Sequence, residues 1–423
     1  MSGSSGEAVP IAKTPRRAVI ISALGVTQIF AWGTSYYLPA VLAAPITADT
    51  GWSLAWVVGG LSLGLLTAGL VSPLVGRAIA RGGGRPVLAL SAGLLAAGLL
   101  TLSLAHSLLV FLIGWVIIGL GMGAGLYDPA FATLGRLYGQ SGRSAITTLT
   151  LFGGFASTVC WPLSAFLDAH LGWRGACLVY AAVQLAGALP IYLFVLPRES
   201  ALPSAGPSIP ETAGLNPGAK FVPRPGLLIL LATSITLASM ISTVMAVLLL
   251  TILQAKGLTL AAAVGLGALV GPSQVAARTI EMVIARYHHP IWTKLAATSL
   301  VTAGLATLWG GGAIVTAALL LYGAGIGLES IARGTLPLAL FGPERYPVIM
   351  GRIAMPSLIA QAAAPSIGAV LLEAAGLNGA LAVILAAAAF NVLLVATLFV
   401  IMRVAPGGGV AIVCPVREAR RRR

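Results

Sequence analysis

Gly121-Met-Gly-Ala-Gly-Leu-Tyr-Asp-Pro-Ala-Phe-Ala-Thr-Leu134 is matched later in the chain by Gly323-Ala-Gly-Ile-Gly-Leu-Glu-Ser-Ile-Ala-Arg-Gly-Thr-Leu336. The offset is 202 residues (121 to 323), and seven of the fourteen positions are identical. A weaker match pairs Gly172-Trp-Arg-Gly-Ala176 with Gly376-Leu-Asn-Gly-Ala380 at an offset of 204. Chance similarity in a chain rich in Gly and Ala is one explanation, and duplication of half the chain is the other. Because both matches have nearly the same offset, the sequence favours two similar halves.

The composition around this repeat is that of a membrane protein. Of 423 residues, 58% are hydrophobic and 9% are charged, and the mean hydropathy is +0.98. A soluble domain carries about 25% charged residues, so lipid is the consistent solvent. A spanning helix needs about 20 apolar residues. Such runs predict an all-α protein with twelve transmembrane helices in two six-helix bundles, at 18–45, 53–75, 87–105, 108–135, 144–167, 174–197, 227–254, 260–285, 291–308, 313–340, 347–372 and 378–403.

Basic residues are distributed unevenly between the two sides of these runs. Only Arg174 and Lys256 fall in the links after odd-numbered runs, whereas the N-terminus, the other links and the tail contain many. Cytoplasmic loops are enriched in Lys and Arg, so we expect both termini in the cytoplasm, with Arg286 and Lys294 in one cytoplasmic link. The net charge of +14 therefore predicts a membrane margin and no nucleic-acid partner. The excess of Ala, Gly and Arg indicates a bacterial cytoplasmic (inner) membrane.

The longest polar stretch divides the chain. The segment 198–226 contains six prolines and little that could pack, which is typical of a linker. We therefore expect an N-terminal six-helix bundle at 1–197, a cytoplasmic linker at 198–226, a C-terminal six-helix bundle at 227–405 and a basic cytoplasmic tail at 406–423.

The link between the second and third runs is Gly76-Arg-Ala-Ile-Ala-Arg-Gly-Gly-Gly-Arg85. It resembles the loop motif of the major facilitator superfamily, Gly-x-x-x-Asp-Arg-x-Gly-[Arg/Lys]-[Arg/Lys]. Ala80 replaces the aspartate of that motif, and Gly84 replaces a basic residue. The resemblance implies a transporter with a 6+6 helix repeat that works by alternating access. It also implies that the link acts as a gating loop through the four matching residues, Gly76, Arg81, Gly83 and Arg85.

Further segments are similar to the bacterial relatives of the monocarboxylate porters. Those carboxylate porters carry Asp-x-x-x-Arg in the eighth span, where the arginine binds the carboxylate and the aspartate takes part in proton coupling. The matching residues here are Gln274 and Arg278. The resemblance therefore implies an organic-anion substrate held by Arg278, while the loss of the aspartate leaves a role for protons open. The similar segments are Gly51-Trp-Ser, Leu126-Tyr-Asp-Pro-Ala-Phe131, Gly172-Trp-Arg-Gly175, Gly271-Pro-Ser-Gln274 and Ala332-Arg-Gly-Thr-Leu-Pro337.

Five charged residues fall well inside the apolar runs: Asp128, Arg278, Glu281, Glu329 and Arg333. Each charge costs about 2.5–3.5 kcal/mol at the bilayer centre, so each needs a partner, and we expect a coupling or charge network among them. The spacings i,i+3 (Arg278, Glu281) and i,i+4 (Glu329, Arg333) place each pair on one helical face. Either these pairs neutralise themselves, or Arg278 meets a carboxylate while a glutamate carries a proton or closes a gate. Asp128 is expected to bind backbone freed by the following proline, or the basic loops.

Polar and aromatic side chains at helical spacing predict the rest of the substrate site. The resemblance implies that the first, fourth, seventh and tenth spans line a central path. Simple packing is the alternative for each aromatic residue. In addition to Arg278, Gln274 and Glu329, the candidates for substrate contact are Gln28, Trp32, Tyr36, Tyr127, Thr236 and Gln361.

The sequence contains no Gly-x-x-x-x-Gly-Lys-[Ser/Thr] phosphate loop and no enzyme constellation. We therefore expect no catalysis, no cofactor and no metal site. The predicted function is secondary transport of a small organic anion such as a monocarboxylate, by a monomer in the bilayer. Two alternatives stay open. One is an exporter of a neutral or cationic molecule with Glu329 or Glu281 as the counter-charge, and the other is a transport-dead membrane sensor.

Overall fold

The computed structural model describes residues 17–198, 225–310 and 314–404, and its described residues form helices without any strand. Most of the expected linker 198–226, the expected tail 406–423 and the basic residues Lys13 and Arg16 lie outside the described residues. The helices are α1 Arg17–Gly33, α2 Leu38–Thr50, α3 Leu54–Gly82, α4 Gly84–Ser103, α5 Leu108–Gly125, α6 Tyr127–Tyr138, α7 Gly142–Gly154, α8 Ala156–Val183, α9 Leu189–Phe194, α10 Pro225–Ala255, α11 Leu260–Gly267, α12 Val270–Ile284, α13 Pro290–Gly310 and α14 Val315–Val404.

Eight helical runs in the described ranges are long and apolar enough to cross a membrane. This agrees with the expected all-α membrane fold. Two runs are too long for a single crossing, because Leu108–Phe194 has 87 residues and Val315–Arg403 has 89. At 1.5 Å per residue, an unbroken helix of that length would measure about 130 Å, against a hydrocarbon core of about 30 Å. Each of these runs therefore has to contain several spans.

Turns at glycine break the two long runs. In α14, Gly342 and Gly376 have φ values of 73° and 64°, a conformation in which a Cβ would clash. The other long run is interrupted by the 3-10 turn Gly139–Ser141 and by Gly172, whose φ is 69°. If each break reverses the chain, the eight runs correspond to twelve spans. The count of twelve itself stays a prediction.

The glycine-rich segments of the repeat allow helices to pack closely. Gly121 of α5 contacts Leu95 of α4, and Gly325 of α14 contacts Val301 of α13. A Cβ at these glycines would lie 2.8 and 2.7 Å from those side chains, so only glycine fits. Since α4 and α13 correspond to the third and ninth expected spans, the two contacts are equivalent in a 6+6 repeat.

The register of the repeat differs from the expected one. An offset of 202 makes Gly123 equivalent to Gly325, yet Gly123 contacts α3 and Gly325 contacts α13. The residue whose contacts match those of Gly325 is Gly121, which corresponds to an offset of 204 (121 to 325). The same offset relates Gly172 and Gly376, and both have positive φ. Sequence identity favoured the wrong register because alternate glycines stay aligned after a shift of two residues.

Buried hydrophobic side chains form clusters that belong mainly to one half of the chain. Two clusters consist of residues from 227 onward, and two consist mainly of residues before 197. We refer to residues 17–198 as the first half and to residues 225–404 as the second half. The expected domain boundaries at 197, 226 and 405 stay predictions.

The two halves cross tightly at the end that carries Arg77, Arg81 and Arg136, which we name the basic end. Gly76 of α3 lies against α14, where a Cβ on Gly76 would be 2.5 Å from the Pro347 carbonyl oxygen. Such contact between backbones closes this end of the molecule.

Candidate substrate site

A cavity of about 1520 Å³ lies between the two halves. Gly154 of α7 and Arg278 of α12, which touch each other, are among the residues that line it. Toward the end opposite the basic end it separates α8 from α11, and Trp161 and Val264 line its two sides. Small-molecule sites measure about 300–1,000 Å³, so the cavity is large enough to hold one.

Arg278 of α12 lies on the wall of this cavity and is 5% exposed. Its Nε donates to the Gly327 carbonyl at 3.4 Å, its Nη1 to the Thr150 carbonyl at 2.9 Å and its Nη2 to Gln274 Oε1 at 3.2 Å. A guanidinium has five N–H donors, so two remain, one on each terminal nitrogen. Within the described ranges, no carboxylate lies within 4.0 Å of Arg278. Of the two alternatives, the neutralisation of Arg278 by Glu281 is therefore wrong.

Two consecutive glycines of α7 make room for Arg278 and for Tyr127. A Cβ on Gly154 would lie 2.6 Å from Arg278 Nη1, and a Cβ on Gly153 would overlap the Tyr127 hydroxyl. The Tyr127 hydroxyl donates weakly to the Thr150 carbonyl at 3.5 Å, the same oxygen that accepts from Arg278. Arg278 and Tyr127 therefore converge on one point of α7.

Asp128 of α6 and Arg333 of α14 form an ion pair between the two halves. Arg333 Nε donates to Asp128 Oδ1 at 2.9 Å and Nη2 to Oδ2 at 2.7 Å. Its Nη1 donates to the hydroxyls of Ser239 and Ser357. The alternative in which Glu329 neutralises Arg333 is therefore wrong, as is the expectation that Asp128 binds freed backbone or the basic loops. Arg333, on the second half, is instead the partner that Asp128 meets, at 2.7 Å.

Glu329 of α14 pairs with Lys294 of α13. Lys294 is fully buried, whereas Glu329 is partly exposed and lines the cavity. The placement of Lys294 in a cytoplasmic link is wrong. Helix α13 begins at Pro290, so Lys294 belongs to this helix, and its side chain is buried.

Glu281 of α12 lies in a polar cluster nearer the basic end. Its carboxylate is 3.5 Å from Arg143 Nη2 and 3.4 Å from His288 Nε2, and it accepts from Thr293 Oγ1 at 2.7 Å. The hydrogen bond to Glu281 raises the pKa of His288 above its ordinary value. Burial, together with the charges of Arg143 and His288, lowers the pKa of His289 to about 4. Because Arg143 lies on the first half, this cluster also joins the two halves.

Aromatic side chains of the first half cover one side of the cavity. Trp32 is central, with ring centroids 4.9 Å from Tyr127 and 5.3 Å from Tyr36. Tyr37 continues the row, 5.3 Å from Tyr36 and 6.2 Å from Trp161. All five line the cavity, and we name them the aromatic wall.

The remaining predicted contact residues divide into two groups. Gln361 lines the cavity and donates to the Ser357 carbonyl at 3.2 Å. Gln28 and Thr236 are not among the residues that line it. Gln28 is fully buried and donates to the Gly125 carbonyl at 2.7 Å. The expectation that Gln28 and Thr236 face the cavity is therefore wrong. Gln28 points into the contact of α1 with α5, and the buried Oγ1 of Thr236 has no hydrogen-bond partner among the described residues.

The predicted gating loop lies at the basic end. Gly76 is buried in the crossing, and Arg81 is exposed. Gly83 has a φ of 80° at the turn into α4, and Arg85 is the second residue of α4. The end of α3 is held by Arg136, which donates to the carbonyls of Ile79 and Ala80. This loop thus lies beside the closed crossing, away from the cavity.

Several site residues were not found from the sequence. Gly153, Gly154 and Arg143 gave no signal beyond residue type, and Tyr37 could have been found as the neighbour of Tyr36. Among the described residues, no group of three His, Cys, Asp or Glu could hold a metal ion.

Comparison with known proteins connects this geometry to one family. The family model described as Major Facilitator Superfamily matches residues 24–338. Monocarboxylate transporter 11 of the mouse is 33% identical over 140 residues, 32% of this chain; the match spans 29% of that relative's length.

Solved structures share the fold over nearly the whole chain. The human organic anion transporter MFSD10 has a TM-score of 0.71 and 16% identity, covering 90% of this chain and 100% of that one. The transporter FucP in the outward conformation has a TM-score of 0.67 and 15% identity, covering 90% and 99%. At such identities the likeness concerns the fold alone.

Proposed function

Because the chain belongs to the major facilitator superfamily, whose members are transporters and not enzymes, we propose that it carries an organic anion across the bilayer by alternating access of its two halves. The observation that supports an anion is the environment of Arg278. It is a buried guanidinium on the cavity wall, with two unused N–H donors and, among the described residues, no carboxylate within 4.0 Å.

An uncompensated buried charge is costly unless a partner arrives. A substrate carboxylate on Arg278 would supply the missing charge and accept two parallel hydrogen bonds. The chemistry of the site is therefore complementary to an anion before the substrate binds.

The interior acids favour an anion over the neutral or cationic alternative. Glu281 already faces Arg143 and His288, and Glu329 already pairs with Lys294. A cationic substrate would have to displace Arg143, His288 or Lys294 from its glutamate. An anion, in contrast, meets Arg278, which has no carboxylate partner among the described residues.

The arrangement of the halves supports alternating access. The crossing at Gly76 closes the basic end, and the cavity extends toward the opposite end. With the predicted orientation in a bacterial inner membrane, this conformation faces outward. Breaking the Asp128–Arg333 pair and the Glu281 cluster is then a condition for opening the cytoplasmic side.

Ligand-induced thermal stabilisation of the purified protein tests the charge of the substrate. We expect carboxylic acids to raise the unfolding temperature, and their amides and matched amines to leave it unchanged. Arg278→Lys keeps the charge but loses the planar fork, so it should weaken the effect, and Arg278→Ala should abolish it. Arg352→Lys, at an exposed site, is the matched control. Stabilisation by amines, or full stabilisation by acids in Arg278→Ala, would refute the anion proposal.

A further inference from the structure

The aromatic wall and Arg278 form one continuous surface. Tyr127, at one end of the wall, shares the Thr150 carbonyl with Arg278. Trp32 lies 4.9 Å from Tyr127, centroid to centroid. A molecule that contacts the guanidinium of Arg278 is thus within reach of the wall.

The size of the cavity is out of proportion to a short acid. Acetate or lactate would occupy a small part of about 1520 Å³ and leave the aromatic wall in contact with water. Such an acid gains binding energy at the guanidinium alone, because apolar stabilisation scales with the apolar area removed from water.

We propose that the substrate is an aromatic carboxylate, whose carboxylate binds Arg278 while its ring packs against Trp32 and the rest of the wall. This inference rests on the proposed function and specifies its substrate class. Aromatic rings prefer offset-stacked or edge-to-face neighbours at centroid distances of about 4.5–7 Å. The neighbouring rings along the wall already keep separations of 4.9 to 6.2 Å, so they present both faces and edges to a guest ring.

The wall belongs to the first half and Arg278 to the second. An aromatic carboxylate therefore contacts the wall of the first half as well as Arg278 of the second, whereas a short acid at Arg278 leaves most of the wall without a contact. A substrate that bridges the halves has a different set of contacts in each conformation, which is the requirement for shifting an equilibrium between them.

Calorimetric titration of the full-length protein tests the substrate class with a matched series. Benzoate and 2-naphthoate supply a carboxylate and a ring, acetate supplies the carboxylate, cyclohexanecarboxylate supplies an apolar ring without aromaticity, and benzamide lacks the charge. We expect benzoate to bind about tenfold tighter than acetate or more, 2-naphthoate tighter still, cyclohexanecarboxylate weaker than benzoate, and benzamide not measurably. Equal affinities of acetate and benzoate, or of cyclohexanecarboxylate and benzoate, would overturn the inference.

Variants of the wall separate this inference from the proposed function. Trp32→Leu should weaken benzoate about 3–10-fold, the range of a lost aromatic pair, and leave acetate unchanged. Tyr37→Leu gives a second, independent reduction if Trp32→Leu fails to fold. Trp56→Leu, on an exposed side chain away from the cavity, should change neither affinity.

The outcomes distinguish two failures. If acetate binds through Arg278 but rings add nothing, the aromatic substrate class is wrong and the anion proposal stands. If no carboxylate binds and Arg278→Ala changes nothing, the proposed function itself is wrong.

Discussion

Asp128 and Arg333 join the two halves of the molecule through two hydrogen bonds, of 2.9 and 2.7 Å, between one carboxylate and one guanidinium. Their side chains are 13% and 14% exposed, and both line the cavity. Planar pairing of this kind fixes the direction as well as the distance between the two helices.

Removing one member of this pair should destabilise the closed state. Asp128→Asn leaves Arg333 without its counter-charge. We expect the free energy of unfolding to fall by on the order of 3 kcal/mol, measured by thermal unfolding in detergent. The double variant Asp128→Asn with Arg333→Gln should lose less than the single variant, because no charge is then left unpaired. A larger loss in the double variant would show that the two residues contribute independently.

The sequence predicted which side chains lie inside the membrane better than it predicted their partners. Helical spacing placed Glu329 with Arg333 and Arg278 with Glu281, because residues three or four apart share a face. It carries no information on which neighbouring helix packs on that face. Arg333 therefore binds Asp128 from the other half, a contact between residues 205 positions apart.

Lys294 shows the same limit in another form. It follows His288, His289 and Pro290, and the charge distribution assigns it to that link, although the apolar run predicted at 291–308 already includes it. In the structure Pro290 is the first residue of α13, where its fixed φ suits a helix start and its missing N–H is not needed. Lys294 is then one turn into the helix and fully buried.

The crossing at Gly76 should respond to a single methyl group. A Cβ on Gly76 would lie 2.5 Å from the Pro347 carbonyl oxygen, and backbone cannot move aside as a side chain can. We expect Gly76→Ala to shift the population toward opening at the basic end. The measurement is the reactivity of a cysteine introduced at Ser330, in a background without native cysteines, toward an impermeant reagent applied from that side.

Gly82→Ala is the control for this change, because a Cβ there would meet nothing within 4 Å. It should leave the reactivity at position 330 unchanged. Equal effects of the two substitutions would mean that glycine flexibility, and not the close crossing, sets the population.

The Glu281 cluster should make closure of the basic end depend on pH. Glu281, whose hydrogen bond raises the pKa of His288, lies on the same half as His288, whereas Arg143 lies on the other half and lowers that pKa. Losing the contact with Arg143 on opening should raise the pKa of His288 further, so protonated His288 opposes closure. Opening is thus favoured at low pH, and this contribution is lost as pH rises through the pKa of His288, which lies above the ordinary value of about 6.5. Cysteine reactivity at position 330 should therefore decrease as pH rises above 6.5.

Substitutions of the two histidines identify the group that titrates. His288→Gln should remove the pH step. His289→Gln should keep it, because the pKa of His289 is lowered to about 4 and this side chain stays neutral above pH 6.5. The other charged groups that face His288 are Arg143 and Glu281. A step that survives His288→Gln would assign the pH dependence elsewhere.

The sharpest test of the site is a methyl group at Gly154. A Cβ there would lie 2.6 Å from Arg278 Nη1. Because that atom is the end of a flexible side chain, Gly154→Ala should fold and displace the guanidinium without disrupting the helices. We expect benzoate affinity to fall at least about tenfold, the equivalent of about 1.4 kcal/mol, while the unfolding temperature of the empty protein changes little.

Gly187→Ala supplies the matched control, since a Cβ there would meet nothing within 4 Å and the site lies outside the cavity lining. It should leave benzoate affinity unchanged. If Gly154→Ala bound benzoate as tightly as the parent, the position of the Arg278 guanidinium in the cavity would not govern anion binding. The reason is geometric: the three atoms nearest to a Cβ on Gly154 are Nη1 and Cζ of Arg278 and one side-chain atom of Val275, so the substitution acts first on the guanidinium.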